Sequence, residues 1–551
     1  MTIRDLFDGA VQEASEAVFQ RFHDGRRWVE RTYGQTAERV HRAAALLKDF
    51  HLGDYTAKLK PPRVAIMMEN CPDWQVLYLA AAGAALAVVP IDPHLRAGEV
   101  RHILADSGAR VVFCGARESA VVREAAAGLD LVQVVDPGKA LDALGADEVA
   151  AGARWYQAHR PQEETLASLI YTSGTTGRPK GAMLDHRCFT ANAEQTLKRV
   201  PFFRTDCFLN VLPLFHAFSF MGNFVLPMRV HGSVGFMRNL RTIADDMLDL
   251  KPTVLLAVPL LAEKLYGRIE RNIQKSPLAK TLYKMSLTRR LVAKKVVARF
   301  GGMMRLIGIG GAPTAVKTLN GFRAIGLDVL EGYGITECSP GVAYPDPAKF
   351  VPGTVGPVLP GVQWKLGPQD ETGAGELLVK GDNVMRGYWN NPEQTVAAFD
   401  EEGYYRTGDV VRIVDGNVKI CGRTKALIVN REGKNIYPEE VENALEHAPL
   451  IRDAIVIGYT VGKETGEHVG AIIVPDEEAL KEAFPGRTLS RAETVDYLTA
   501  YAKDVCRKSV AEYKQPRKFE VRFEPLERTG TMKVRRAVYA RQLDEPGTAH
   551  A

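Results

Sequence analysis

The chain has 551 residues, 46% of them hydrophobic and 25% charged, with 71 lysines and arginines against 66 aspartates and glutamates. That length exceeds a single hydrophobic core and predicts about three or four folding modules, and the composition is that of an ordinary globular protein with little room for long disordered tracts. A net charge of +5 is too balanced for wholesale nucleic-acid binding, and seven scattered cysteines without a C-x-x-C pair point to a reducing, cytoplasmic setting without structural zinc.

Along the chain, the first twenty residues, MTIRDLFDGAVQEASEAVFQ, are interrupted by acids and lack the apolar stretch of a signal peptide. From about residue 62, short β-branched runs alternate with helical patterns: RVAIMM, then VLYLAAAGAALAVVPI (76–91), AGEVRHILADSG, RVVFC, ESAVVREAAAG and LVQVV. The 76–91 run is short of the ~20 residues a membrane span needs and reads as a buried helix followed by a strand. Such alternation predicts right-handed βαβ units and a parallel sheet. The rhythm resumes after residue 165 with FLNVLPL, GSVGFM, TVLLAVP and MMRLIGIGG, predicting a second sheet layer.

Residues 280–300 interleave apolar positions with Lys284, Arg289, Arg290, Lys294, Lys295 and Arg299, as on an amphipathic helix. Its basic face is either solvated or laid on an anionic membrane surface. After about residue 350, Gly- and Pro-rich turns separate short strands such as GELLVKG and VVRIVDGNVKICGR, predicting a small antiparallel, barrel-like subdomain. Past Arg423 hairpins and helices mix. The fold class is therefore α/β, with a large domain over 1–422 and a small α+β domain over 423–551.

One loop invites a chemical reading. YTSGTTGRPKG (171–181) follows the apolar run TLASLI, where a strand should give way to a turn. The hydroxyls of Thr172, Ser173, Thr175 and Thr176, the backbone freedom of Gly174 and Gly177, and the charge of Lys180 together suit a polyanion such as a chain of phosphates. It is not a Walker loop, because Gly181 follows Lys180 where Ser or Thr is required. Taken alone, the cluster fits a polar surface turn equally well.

Five further motifs follow it in order: GGAP (310–313), EGYGITECSP (331–340), YRTGD (405–409), GRTKALIVNREGKNIYPEEVE (422–442) and ERTGTMKVRR (527–536). With them the whole chain resembles the adenylate-forming superfamily, which includes acyl-CoA synthetases, luciferases and peptide-synthetase adenylation domains. The resemblance implies ATP-dependent activation of a carboxylic acid to acyl-AMP with release of pyrophosphate, then transfer to a thiol. A carboxylate is a poor electrophile and two anions must meet, so cations, oriented donors and Mg²⁺ are what the first step needs.

The resemblance also implies roles, residue by residue. Thr172 to Gly177 and Lys180 close over the β- and γ-phosphates. Lys533, in a T-x-T-G-K-x-x-R pattern matched by Thr529, Thr531 and Arg536, reaches the carboxylate and α-phosphate; Met532 departs from the usual glycine, as in long-chain acyl-CoA synthetases. Asp409 and Arg423 hold the ribose. Gly311, Ala312, Pro313, Glu331, Gly332, Tyr333 and Gly334 surround the adenine, Thr336 meets the α-phosphate, and Glu337 offers a hard oxygen to Mg²⁺. Lys425 marks the hinge about which the C-terminal domain swings, and the loop carrying Gly433 and Lys434 replaces Lys533 for the thioester step.

VLPLFHAFSFMGNFVLP (211–227) resembles the aromatic motif beside the family's acyl pocket, to which Gly310 also belongs. His216 and Phe220 lie four apart on one helix face, where Phe220 is either a gate or simply core. The absence of charge from Val211 to Met228, His216 aside, favours a fatty or aromatic acid over an amino acid, which would need a carboxylate for its ammonium. CoA is the default acceptor, with the phosphopantetheine thiol of an acyl carrier protein as an alternative. The competing readings are an acyl-AMP or acyl-carrier-protein ligase and, from another class, a silent acyl-adenylate-binding regulator.

Overall fold

The computed structural model describes residues 1–130, 133–172, 178–275, 277–284, 286–430, 434–461, 467–528, 534–540 and 542–544. The chain divides into two compact units. One comprises Met1–Trp364, Val379–Arg406 and Gly416–Val418; the other comprises Lys365–Leu378, Thr407–Asp415 and Lys419–Ala551.

The first unit holds two large sheets and a small antiparallel pair, Tyr333–Gly334 with Gly341–Ala343. Strands β1 (Val18–His23), β2 (Trp28–Thr32), β3 (Arg63–Met67), β4 (Ala87–Pro90), β5 (Val111–Cys114), β6 (Gln133–Val135), β7 (Leu166–Thr172) and β8 (Lys180–Asp185) precede β9 (Cys207–Asn210), β10 (Ser233–Phe236), β11 (Val254–Ala257), β12 (Leu306–Ile309) and β13 (Asp328–Glu331). A six-stranded sheet runs β6-β5-β3-β4-β7-β8 and a seven-stranded sheet runs β13-β12-β11-β9-β10-β1-β2. Within each, all neighbours are parallel except the last pair, β7 with β8 and β1 with β2. Strands β4, β5, β9, β10 and β11 are buried at every position, which is why they read as continuous apolar runs rather than alternations.

The 76–91 run resolves as expected into a helix, Pro72–Gly83, followed by β4. Every residue from Trp74 to Gly83 is buried. The basic 280–300 stretch falls on two helices, Pro277–Lys284 and Ser286–Arg299; in the second, Val292, Val296 and Val297 face the core while Lys294, Lys295 and Arg299 are exposed. Among the described residues no helix is long and apolar enough to cross a membrane.

In the second unit, strand Ile451–Tyr459 pairs antiparallel with His468–Pro475, which pairs in parallel with Lys518–Val521. Side-chain alternation splits this small sheet cleanly. Val456, Ala471 and Ile473 pack with Val441 and Leu445 of helix Pro438–Glu446 and with Leu498 of helix Arg491–Ser509. Ile455, Ile457 and Ile472 pack on the other face with Leu526, Tyr539 and Leu543. The strands expected of a barrel-like subdomain, Gln363–Leu366, Gly375–Lys380, Tyr405–Val414 and Asn417–Arg423, pair in that order as a four-stranded sheet.

Candidate active site

Two neighbouring parallel strands bring the first elements together. Gly310 to Pro313 leave the end of β12 and Gly332 to Glu337 leave the end of β13, so the two loops emerge side by side at the carboxyl edge of the sheet, where open α/β sheets bind ligands. The Gly332 N–H donates to the Ile309 carbonyl at 2.8 Å, and the Thr314 N–H donates to Glu331 Oε1 at 2.5 Å. Burial pushes the Glu331 carboxyl up to about 7, against the pull of the Thr314 hydrogen bond and with a smaller push from Glu263. Gly311, Ala312, Pro313 and Gly334 are exposed; Tyr333, Thr336 and Glu337 are half-buried.

The hairpin of β7 and β8 carries Thr172 at one foot and Lys180 at the other, directly opposite one another. Ser173, Gly174, Thr175, Thr176 and Gly177 lie outside the described residues. The Lys180 ammonium donates to Gln394 Oε1 at 2.6 Å and stands 5.5 Å from the centre of the Tyr388 ring. The Tyr388 hydroxyl in turn donates to Glu337 Oε1 at 3.0 Å. Burial and the Glu337 carboxylate hold the Tyr388 phenol well above its ordinary value, so it remains a proton donor. Tyr388 is thus the link between the hairpin and the EGYGITE loop.

Sequence reading missed Tyr388, because its role depends on segment 386–389 running alongside β8, where the Trp389 N–H reaches the Gly181 carbonyl and the Met183 N–H reaches that of Gly387. Among the described residues none donates to Glu337 Oε2, and none form a cluster of three metal-ligating side chains. One open carboxylate suits Mg²⁺, which is held by one or two carboxylates plus substrate phosphates, rather than an all-protein cage.

Beyond β9 the chain forms Ala217–Phe220, a π-helical turn Met221–Val225 and Leu226–Arg229 as one helical run, and such turns frequently mark functional sites. Phe220 is 1% exposed, its ring packed among Trp74, Tyr78, Phe189 and Phe224 with centroids 4.6–6.2 Å away. Phe218 faces the GGAP turn instead: a Cβ on Gly310 would meet its ring at 3.2 Å. His216 is half-buried at the start of the helix, its ring beside that of Phe215.

The remaining predicted residues belong to the second unit. Asp409 is 3% exposed and pairs with Arg423 Nε at 2.9 Å. The preceding Gly408, at φ 70°, donates its N–H to Glu376 Oε1, and the Thr424 hydroxyl closes on the Gly408 carbonyl. Lys425 is exposed on the single turn Thr424–Ala426. Lys434 is exposed, with its ammonium 4.9 Å from the Tyr513 ring. Gly433, Thr529, Thr531 and Lys533 lie outside the described residues, but Arg528 and Val534, which flank the last three, pair in an antiparallel bridge.

Residues 7–389 match the family model described as AMP-binding enzyme. Long-chain-fatty-acid–CoA ligase 5 of Rattus norvegicus is 30% identical over 82% of this chain and 72% of its own length. Long-chain-fatty-acid–CoA ligase FadD15 of Mycobacterium bovis is 31% identical over 86% of this chain and 82% of its own length. Among solved structures, ATP-bound MatB from Rhodopseudomonas palustris is similar at a TM-score of 0.74 and 26% identity, covering 98% of both chains.

Proposed function

Because the chain belongs to the AMP-binding enzyme family, as an acid–thiol ligase using ATP and CoA, we propose that its acid is fatty and that Lys180, Tyr388 and Glu337 organise its nucleotide site. The observation that carries this reading is the Lys180–Tyr388–Glu337 contact, which ties the hydroxyl-rich hairpin to the carboxylate of EGYGITE. In the first half-reaction the acid's carboxylate attacks the α-phosphorus in line, pyrophosphate leaves and acyl-AMP forms. Lys180 and the hairpin hydroxyls neutralise the departing phosphates, Thr336 donates to the α-phosphate, and Glu337 would hold Mg²⁺, which supplies further neutralisation of the leaving group. Asp409 accepts from the ribose hydroxyls with Arg423 holding its carboxylate, and Tyr333 offers its ring to adenine.

In the same reading Lys533 neutralises the reacting carboxylate and α-phosphate, and residues 423–551 swing about Lys425 so that the Gly433–Lys434 loop takes over while the CoA thiol attacks the acyl carbonyl. The fatty acid is supported by the printed names of the two ligase relatives and by an acyl region of His216, Gly310 and the Phe218 ring, with Phe220 in the core behind it. No two of the seven cysteines, all of them described residues, form a disulfide, which supports a reducing cytoplasm. Peripheral contact with an anionic surface through exposed Lys294, Lys295 and Arg299 completes the proposal, and co-sedimentation with anionic against neutral vesicles tests it.

Pyrophosphate release against a panel of carboxylic acids, with CoA, with carrier protein and with neither, tests the main reading. Release that depends on a long-chain acid and thioester that depends on CoA are the expected results. Thioester formed only on carrier protein would replace CoA as acceptor, and release with no acid at all would sink the ligase assignment. Lys425→Pro is expected to slow thioester formation more than acyl-AMP formation; undiminished overall turnover would remove Lys425 as the hinge.

A further inference from the structure

Two arginines stand side by side at the amino edge of the six-stranded sheet. Strands β3 and β5 are parallel neighbours with Val64 opposite Val111, so Arg63, the first residue of β3, lies in register with Arg110, whose N–H donates to the Arg63 carbonyl at 3.4 Å. Thr172 and Lys180 belong to the opposite, carboxyl edge, because β3, β4 and β7 run parallel and Thr172 ends β7 facing Lys180. The amino edge is therefore separate from the nucleotide loops.

Lys60, Arg63 and Arg110 line a cavity of about 170 Å³ there, with Asp54 the single carboxylate on its wall. Asp54 is turned onto its own loop, its Oδ1 accepting from the Thr56 N–H at 2.8 Å and from the Thr56 hydroxyl at 2.6 Å. Among the described residues no carboxylate forms an ion pair with Lys60 or Arg63, and Arg110 has only Asp130, which is 3.8 Å from its Nε and whose side chain is 95% exposed. That Nε is buried without a hydrogen-bond partner. Arg63 donates from Nε to the Ser107 carbonyl at 2.7 Å and from Nη1 to the Pro61 carbonyl at 2.9 Å, which fixes the guanidinium and leaves Nη2 without an acceptor among the described residues. Burial holds this guanidinium below its ordinary value, with a smaller opposing pull from Tyr171. Gly108 makes room for it: at φ 61° it ends helix Ala97–Ser107, and a Cβ there would meet Arg63 Nη2 at 2.9 Å.

The lining thus sets three cations against one carboxylate, and like charges gathered in this way repel unless an anion joins them. A phosphate group, with a charge of about −1.5 to −2 at pH 7, matches the excess, and guanidinium forks suit its oxygens. We propose that this cavity is a phosphate-binding site separate from the nucleotide site, taking inorganic phosphate or the phosphate end of a small monoester, with Arg63 as the fixed donor and Lys60 and Arg110 as the adjustable ones. The Trp389 ring stands 5.2 Å from the Arg63 guanidinium and 6.0 Å from the Lys60 ammonium, so the same cations touch the segment that carries Tyr388.

Isothermal titration calorimetry of the full chain with inorganic phosphate and with methyl phosphate tests the site, at an ionic strength held constant with chloride and with the nucleotide site filled by Mg²⁺ and a non-hydrolysable ATP analogue. Wild type is expected to bind one phosphate per chain, and Lys60→Ala combined with Arg110→Gln to weaken binding by about 10- to 100-fold, with Arg110→Lys retaining most of the affinity. Because the cations repel when no anion is bound, the double variant should unfold in chloride at a midpoint equal to or above that of wild type, and phosphate should raise the midpoint of wild type alone. A purely structural role for these residues would instead lower the midpoint of the variant in both salts. Methyl phosphate binding as tightly as inorganic phosphate assigns the site to a monoester, and binding of inorganic phosphate alone assigns it to the free ion. Phosphate binding no better than chloride, phosphate excluded by the ATP analogue, or phosphate bound equally by the double variant would each overturn the proposal.

Discussion

The two units hold their functional groups by different forces. In the first, Gly310 to Pro313 and Gly332 to Glu337 are carried at the ends of buried parallel strands, and their neighbours are backbone carbonyls, aromatic rings and one buried carboxyl, Glu331. In the second, partly buried ion pairs join neighbouring elements: Glu440 with Lys514, Glu442 with Arg536 and Asp453 with Arg528. Apolar burial is non-directional, whereas a partly buried, charge-assisted hydrogen bond fixes direction.

The largest expected break of this contrast is at Phe220. Truncating a ring packed among four others, as in Phe220→Ala, should cost about 3–5 kcal/mol of stability and leave the preference among acyl chain lengths unchanged, whereas Phe218→Ala should shift that preference toward longer chains. Denaturant unfolding beside a chain-length panel distinguishes them; a selectivity change at Phe220 with intact stability would make it the gate. Next, Lys533→Ala should lower acyl-AMP formation by about 10²–10³-fold, the usual loss for one oriented group opposite developing charge, without a comparable change in unfolding midpoint.

The smallest effect concerns pH in the first unit. The folded Glu331 carboxyl, at about 7, lies above its unfolded value near 4.5, so the stability it contributes is fully present below pH 4.5 and is lost as pH rises through 7. That amounts to about 3–4 kcal/mol at most, of which about 2 kcal/mol falls between pH 5.5 and 8. Glu331→Gln removes the titration, so the advantage of the variant over wild type should grow between pH 5.5 and 8 in thermal unfolding. A constant difference across that range would show that the carboxyl does not titrate there.

The strand–helix alternation and the six ordered motifs were legible in the sequence because each is local. A buried parallel strand is a continuous apolar run, and a binding loop is a cluster of glycine and hydroxyl residues just after it. VLYLAAAGAALAVVPI became a helix and a strand as read, and Thr172 and Lys180 of YTSGTTGRPKG stand opposite one another across β7 and β8. Phe218 and Phe220 show where such reading stops. Both are aromatic, two positions apart in one motif, and only the packing of Trp74, Tyr78, Phe189 and Phe224 against one and Gly310 against the other separates the core ring from the ring beside the GGAP turn.

Residue order alone therefore determined the chemistry available to this protein: cations, hydroxyls and carboxylates of the right kind in ordered motifs, since backbone sterics and apolar periodicity act over a few positions. Which of them share a partner was decided in three dimensions. Tyr388 meets Glu337 across 51 positions and Arg536 meets Glu442 across 94, and hydrogen bonds and ion pairs at such separations leave no local signature in the chain.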